Sequence, residues 1–279
     1  MATKIYLPST GAPAVTPSSW IFPEQINPLE FAGVVARISS ALTTKTEPTG
    51  TTSPIQRGML RYVVGPLAAQ SISGTVRMVM RCREANGGAN ATLAMAVKII
   101  QPSGADRATL LAVTSSDSAT SPYEFTTTLD SRRCWKADDT EPPALTTQSA
   151  TEGDYLVIEI GFRSATSVSR NIDLHYGDAS ASDLTYGDAE TNDFNPWVEF
   201  SANIAWSSQT VEESISAARS QGIAAASQGE LESAASLGRQ AGITPGENIE
   251  IDHGATLAAT RGAAVDQHIV VEETLYDIA

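Results

Sequence analysis

Between about residue 31 and residue 206 the chain alternates apolar and polar side chains in short runs, broken by Gly, Pro, Ser, Thr or Asp. The clearest run, Tyr155 to Arg163, sends Leu156, Ile158, Ile160 and Phe162 to one side and Tyr155, Glu159 and Arg163 to the other. A period of two is what a sheet with one buried face requires, because successive side chains of a strand point to opposite faces. Nine or ten such runs joined by turn-rich loops predict an antiparallel β-sandwich or jelly roll.

The runs can be followed along the chain. Phe31 to Leu42 places Ala32, Val34, Ala36, Ile38 and Leu42 on one face, and Pro48, Gly50 and Pro54 mark the next loop. Met59 to Val64 ends at Gly65-Pro66. Ile72 to Glu84 points Val76, Met78, Met80 and Cys82 inward and Arg77, Arg81 and Arg83 outward. After the turn signal Asn86-Gly87-Gly88, Leu93 to Ile100 brings in Leu93, Met95, Val97 and Ile99, so the two runs are expected to pair as a hairpin. Thr109 to Val113 and Tyr123 to Leu129 add strands, and Arg132 to Gln148 reads as a polar loop containing Pro142-Pro143. Asn171 to Tyr176 and Val198 to Trp206 complete the set.

Both ends differ from this body. Residues 1–30 hold Pro8, Pro13, Pro17, Pro23 and Pro28, which forbid helix or central strand, so they read as an extended arm. Its apolar residues Ile5, Tyr6, Leu7, Trp20, Ile21 and Phe22 need cover, from its own sandwich or from a neighbouring subunit. Residues 207–279 hold 11 acids against 3 Arg, and Tyr276 is their sole aromatic. This break places a domain boundary near residue 207. Beyond it, Thr210-Val-Glu-Glu213 fits a capping box, with Val211, Ile215 and Ala218 at helical spacing. A weaker box at Ser227 to Glu230 precedes Leu231, Ala234 and Ala235. A helix near 255–264, flanked by short strands at Asn248 to Ile251 and His268 to Val271, would complete this smaller, Ala/Ser-rich, mostly helical region. Its faces bury little area, so it is expected to pack against another surface.

The balance of charge narrows the function. A net charge of −14 argues against nucleic acid, whose phosphates need clustered Lys and Arg. The apolar runs are too short to cross a bilayer, so no membrane role is expected. Met1 to Pro8 has no apolar signal core, and synthesis in the cytoplasm is expected. Cys82 and Cys134 are too few for a disulfide framework and are expected to be reduced, although one bridge between neighbouring strands would be compatible. His175, His253 and His268 belong to no Cys–His nucleophile pattern.

Two acidic clusters carry candidate chemistry. Asp178, Asp183, Asp188 and Asp193 recur every fifth residue with Glu190 among them, and Tyr-Gly-Asp-Ala occurs at 176–179 and 186–189. Carboxylates on a flexible loop suit Ca²⁺, although the spacing is not that of an EF-hand and such loops also simply join strands. Asp138, Asp139 and Glu141 lie beside Trp135 and Lys136. A carboxylate pair beside an aromatic could hydrolyse a glycoside if one pKa were raised, whereas the plain reading is a solvated loop. Trp135, Tyr123 or Tyr186, if exposed, could stack on a glycan. Arg77, Arg81 and Arg83, with Arg132 and Arg133 elsewhere, read as a charged sheet surface paired by acids on facing strands. No P-loop, dinucleotide fingerprint or zinc pattern is present.

Four stretches resemble a group of small virion proteins of tailed bacteriophages. They are Ala2-Thr-Lys-Ile-Tyr-Leu-Pro8, Pro66-Leu-Ala-Ala-Gln-Ser-Ile-Ser-Gly-Thr75, Glu152-Gly-Asp-Tyr-Leu-Val-Ile-Glu-Ile-Gly161, and Tyr176-Gly-Asp178 with Asp193-Phe-Asn-Pro-Trp-Val-Glu-Phe200. The resemblance covers most of residues 1–206 and leaves out the Ala/Ser-rich tail. It implies a non-enzymatic structural component of the virion, a capsid decoration or accessory protein with a jelly-roll body. Its partners would be copies of itself and virion proteins such as the major capsid protein. An extended arm and a tail needing cover suit such assembly. The competing expectation is a carbohydrate- or receptor-binding jelly-roll module, and a hydrolase is the third.

Overall fold

The computed structural model describes residues 2–116, 124–134, 142–178, 182–184 and 195–207, with Asp130–Cys134 described as backbone. The expected elements beyond residue 207 lie outside the described residues, as do Tyr123, Trp135, Asp138, Asp139, Glu141, Tyr186, Asp188, Glu190, Asp193, His253 and His268. Among the described residues every regular element is a strand, so this part of the chain is mainly β.

In chain order the strands are β1 (Thr3–Tyr6), β2 (Glu24–Ala32), β3 (Thr43–Pro48), β4 (Ile55–Val64), β5 (Gln70–Ile72), β6 (Val76–Glu84) and β7 (Ala91–Ile100). They continue as β8 (Asp106–Ser115), β9 (Asp130–Cys134), β10 (Gln148–Ala150), β11 (Tyr155–Ser164), β12 (Asn171–Tyr176) and β13 (Trp197–Phe200). One sheet runs β1-β13-β6-β12-β3 and adds β9 on the other flank of β6. The second runs β2-β4-β11-β7-β8, and β5 pairs with β10 apart from both. All pairs are antiparallel except β2 with β4.

The two large sheets share one apolar core. In the five-stranded sheet, Ile158 lies between Tyr62 and Val97, and Ile160 between Leu60 and Met95. The other sheet contributes Val76, Met78, Met80, Cys82, Leu174 and Val198. Each fully buried Leu, Ile or Met of this kind stabilises by roughly 1.5–3 kcal/mol before chain entropy is counted. The β4 ladder slips by one residue between Ile160 and Gly161, leaving Met59 over as a bulge. Gly161 is required there, since a Cβ would meet the Arg57 carbonyl oxygen at 1.9 Å.

Several expectations are corrected. The runs around Asn86-Gly87-Gly88 do not form a hairpin: β6 lies in one sheet and β7 in the other. Both carry an inward apolar face, and residues 85–90 cross from one sheet to the other, about 10 Å away. Residues 33–42 are not strand, and Ile38 and Leu42 are exposed rather than inward. Thr43–Pro48 is strand β3 although its sequence is almost wholly polar, and the expected loop from Arg132 contains most of β9. Register places Cys134 opposite Met78 and Asp130 opposite Cys82. The two cysteines are therefore four positions out of step, about 13 Å along the ladder, too far for a bridge.

The first thirty residues lie on the sandwich of their own chain. β1 pairs with β13, and Ile5 and Leu7 enter the main core. Residues 15–24 then cross the outer face of the five-stranded sheet as a strap. Phe22 packs on Ala94 and Ala96, and Trp20 covers Gly58, where a Cβ would come within 2.9 Å of the indole. Glu159, fully buried on β11, accepts hydrogen bonds from the amides of Ile21 (2.7 Å) and Phe22 (3.2 Å). Lys98, also buried, donates to the Ser19 carbonyl and to Asp106 (2.7 Å each), with Glu159 Oε1 at 3.8 Å. Arg61 donates to the Ser19 and Pro17 carbonyls, pairs with Glu30 and stacks on Trp20 at 4.4 Å. Glu159→Ala leaves both amides without their acceptor and takes away the negative charge beside Lys98, and a loss of about 3–5 kcal/mol is expected from the urea midpoint. A loss under about 1 kcal/mol would show that the apolar contacts and the Lys98 and Arg61 hydrogen bonds hold the strap without Glu159.

Candidate functional site

The outer face of the six-stranded sheet carries the densest set of polar and aromatic side chains on described backbone. At its β13 end Trp197 packs on Val79 and Leu184 and donates its Nε1 hydrogen to the Leu184 carbonyl at 2.9 Å. Lys4 Nζ lies 4.4 Å from the Trp197 ring centre, and the Arg77 guanidinium lies 5.7 Å from it. Arg77 also pairs with Glu199, its register partner on β13, at 2.5 Å.

Of the four aspartates expected to hold Ca²⁺, Asp178 and Asp183 lie among the described residues. Asp183 is an anchor for the outer face: its carboxylate takes Lys4 at 2.7 Å, Arg37 at 3.7 Å and the Tyr6 hydroxyl at 3.4 Å. A cation at this carboxylate would compete with two basic side chains already there. Asp178 is buried, and its carbonyl accepts from the Ser40 amide at 3.0 Å. Among the described residues no group of three or more Asp, Glu, His or Cys is placed to hold a metal.

Two cross-strand rows follow toward β3. In the first, Thr46, Asp173 and Arg83 are register partners on β3, β12 and β6. Asp173 accepts from the Thr46 hydroxyl and from Arg83 Nε, the latter at 2.7 Å, so this row is neutral. In the second, Thr44, His175 and Arg81 stand side by side. The Thr44 hydroxyl is 3.3 Å from His175 Nδ1. Burial, and next to it the Arg81 charge, hold the His175 imidazole down to about 4, with Arg83 adding to this and Asp173 opposing it. At neutral pH the imidazole is therefore uncharged.

A second carboxylate of interest sits at the far end of β6. Glu84 continues the inward series Val76, Met78, Met80, Cys82 and is almost fully buried. Its Oε2 has no hydrogen-bond partner, and its amide donates to the Thr126 carbonyl at 2.9 Å. Burial, and then the charge of Glu124, push its carboxyl up to about 7 against the pull of the Ala91, Ala89 and Asn90 amides. Sequence reading passed over Glu84, although a carboxylate at a core position of the alternation was the signal. The alternation places Glu159 on the outward face and does not single out Lys98, because nothing in their own strands reveals the strap above them.

No family model and no curated protein matches the chain. Its chemistry must be read from these side chains. The two perturbed groups act on stability in opposite directions. His175, lowered from 6.5, favours the folded state above that value, and its contribution is lost as pH falls toward 4. Glu84, raised from 4.5, favours the folded state at low pH, and its contribution is lost as pH rises through 7. Glu84→Gln, which stays neutral, is expected to melt a few degrees above wild type near pH 8 and level with it near pH 4. An equal difference at both ends of thermal melts would show that Glu84 ionises in its ordinary range.

Proposed function

We propose that this protein is a non-enzymatic structural component of a tailed-phage particle, a capsid decoration or accessory protein built on a jelly roll. The jelly-roll reading rests on how eight strands pair. In chain order they are β3, β4, β6, β7, β8, β9, β11 and β12. The first pairs with the eighth, the second with the seventh, the third with the sixth and the fourth with the fifth. A long antiparallel ribbon rolled up on itself gives that nesting. It yields the four-stranded orders β3-β12-β6-β9 and β4-β11-β7-β8. Such a body serves both viral coat proteins and lectins, so the fold alone does not choose between them.

The observation favouring assembly is what the surface offers. Among the described residues no aromatic side chain is exposed, whereas Val35, Ile38 and Leu42 in the one connection 33–42 are, with Ile26 and Val168 exposed singly elsewhere. Aliphatic side chains grouped on one loop suit protein contact, and sugar binding wants an open aromatic face. The resemblance of residues 1–206 to phage virion proteins points the same way. Because β1 and the strap are already engaged on their own sandwich, the acidic tail from 207 onward and the 33–42 connection are the parts we assign to contact. A carbohydrate- or receptor-binding jelly-roll module is the second reading, favoured by Tyr123, Trp135 or Tyr186 if they stand open. We assign the protein to the virion, after synthesis in the host cytoplasm.

The solution mass of the full chain, by light scattering after size exclusion, tests the assembly reading together with cosedimentation on empty capsids. A closed oligomer or saturable capsid binding is expected, and deleting residues 208–279 should weaken it while leaving a cooperatively melting β-domain. A monomer that ignores capsids and binds an arrayed glycan would replace this reading with the second.

A further inference from the structure

Arg81 breaks the pattern of its own strand. Arg77 and Arg83, four residues before it and two after it on the same outward face, each pair with a carboxylate on the next strand. Arg81 faces His175 instead, which is uncharged at neutral pH. Its side chain is only 5% exposed, and its Nε is sealed from solvent without a hydrogen-bond partner. Among the described residues no carboxylate pairs with it. Asp173, diagonal to it on β12, is engaged by Arg83 and Thr46. A buried guanidinium without a counter-charge is costly, because water has been removed and nothing replaces it.

We propose that Arg81, with His175 and Thr44 beside it, forms a binding site for a single carboxylate, supplied by an acidic side chain of a neighbouring subunit. The row carries one uncompensated positive charge, which a monoanion neutralises. A planar carboxylate matches the guanidinium fork, and the uncharged imidazole and the Thr44 hydroxyl add donors alongside it. Copies of this chain are well supplied with such groups, with 32 Asp and Glu against 18 Lys and Arg. The subunit as source rests on the assembly reading above; the site itself does not.

Acetate is the probe for the site, and the His175 ring resonance of the full chain is the readout, assigned by its loss in His175→Asn. Saturable shifts are expected on adding acetate, with the titration of His175 moving up as the bound carboxylate offsets Arg81. In Arg81→Met, which keeps the bulk and removes the charge, affinity should fall about tenfold or more. That variant should also melt at or above wild type in chloride, because it removes an uncompensated charge. An acetate response that does not saturate, or one that persists in Arg81→Met, overturns the site. Melting of Arg81→Met well below wild type would mark Arg81 as a packing residue and also overturn it.

The source is read separately, from light scattering and capsid cosedimentation of wild type and Arg81→Met. Weaker assembly in the variant, and competition by acetate in wild type, are expected. An acetate response with assembly unaffected overturns the neighbouring subunit as donor and leaves free carboxylates. An acetate response in a monomer that binds no capsids removes the assembly reading and spares the site. Assembly without any acetate response does the reverse.

Discussion

Glu159 has no exposure, sits in the middle of the central strand of one sheet, and decides how the first thirty residues run. A carboxylate in that position must be surrounded by donors or give up its charge. Two amides of the strap supply donors, and Lys98 and Arg61 bring positive charge close; burial still pushes its carboxyl up against their pull. The same two bases reach over to the Ser19 carbonyl, so base, acid and strap backbone are tied into one polar layer. Small residues beneath, Gly58, Ala94 and Ala96, leave the room that Trp20 and Phe22 fill. The sheet thereby gains a second covered face, and the strand register of β4, β7 and β11 is fixed from both sides.

The opposite sheet is covered by the same logic with different groups. Leu184 closes over Val79 and Trp197, and Asp183 draws Lys4, Arg37 and Tyr6 together. Charges on this face are balanced in pairs set by strand register, Arg77 with Glu199 and Arg83 with Asp173. Arg81 keeps the register but stands opposite His175 on β12 and Ser131 on β9, and among the described residues no acid pairs with it. A histidine there cannot serve as a counter-charge. Buried and beside a guanidinium, it takes up a proton only near pH 4, well below the pH at which it would in water, so both partners of the pair stay as they are across the neutral range.

Local alternation was enough to find the strands that fill the core, and not enough to find their partners. β11, β12 and the inward faces of β6 and β7 were legible because each buries a strict every-second-residue series. The hairpin was misread because a tight Gly-rich turn between two such series looks the same whether the chain doubles back in one sheet or crosses to the next. β3 was invisible because Thr43 to Pro48 edges its sheet and its polar side chains face water or pair as Lys45 does with Glu47. Phe31 to Leu42 went the other way, apolar enough for a strand yet mostly left outside. At the candidate site the arginine series was plain in sequence. Which member lacked an acid depended on cross-strand register, and that is a property of the fold.

With most of both faces covered, partners are left with loops, edges and the β3 side of the six-stranded sheet, and the edges are guarded. β8 carries Asp106 and Arg107 and slips register against β7 at three points. β2 is bulged between Gln25 and Leu29, where Asn27 takes a left-handed backbone at φ 42° and Pro28 lacks an amide hydrogen. β3 ends in Pro48 and presents Lys45. Charges, bulges and prolines of this kind discourage a foreign strand from adding to an edge, since each removes or misaligns a ladder hydrogen bond. A subunit built this way meets its neighbours through side chains and connections rather than through shared sheet. Specific side-chain docking needs something to dock against, and an apolar connection at 33–42 and a buried guanidinium short of its anion are two such features on one molecule. The first supplies area without direction, and the second supplies direction with little area.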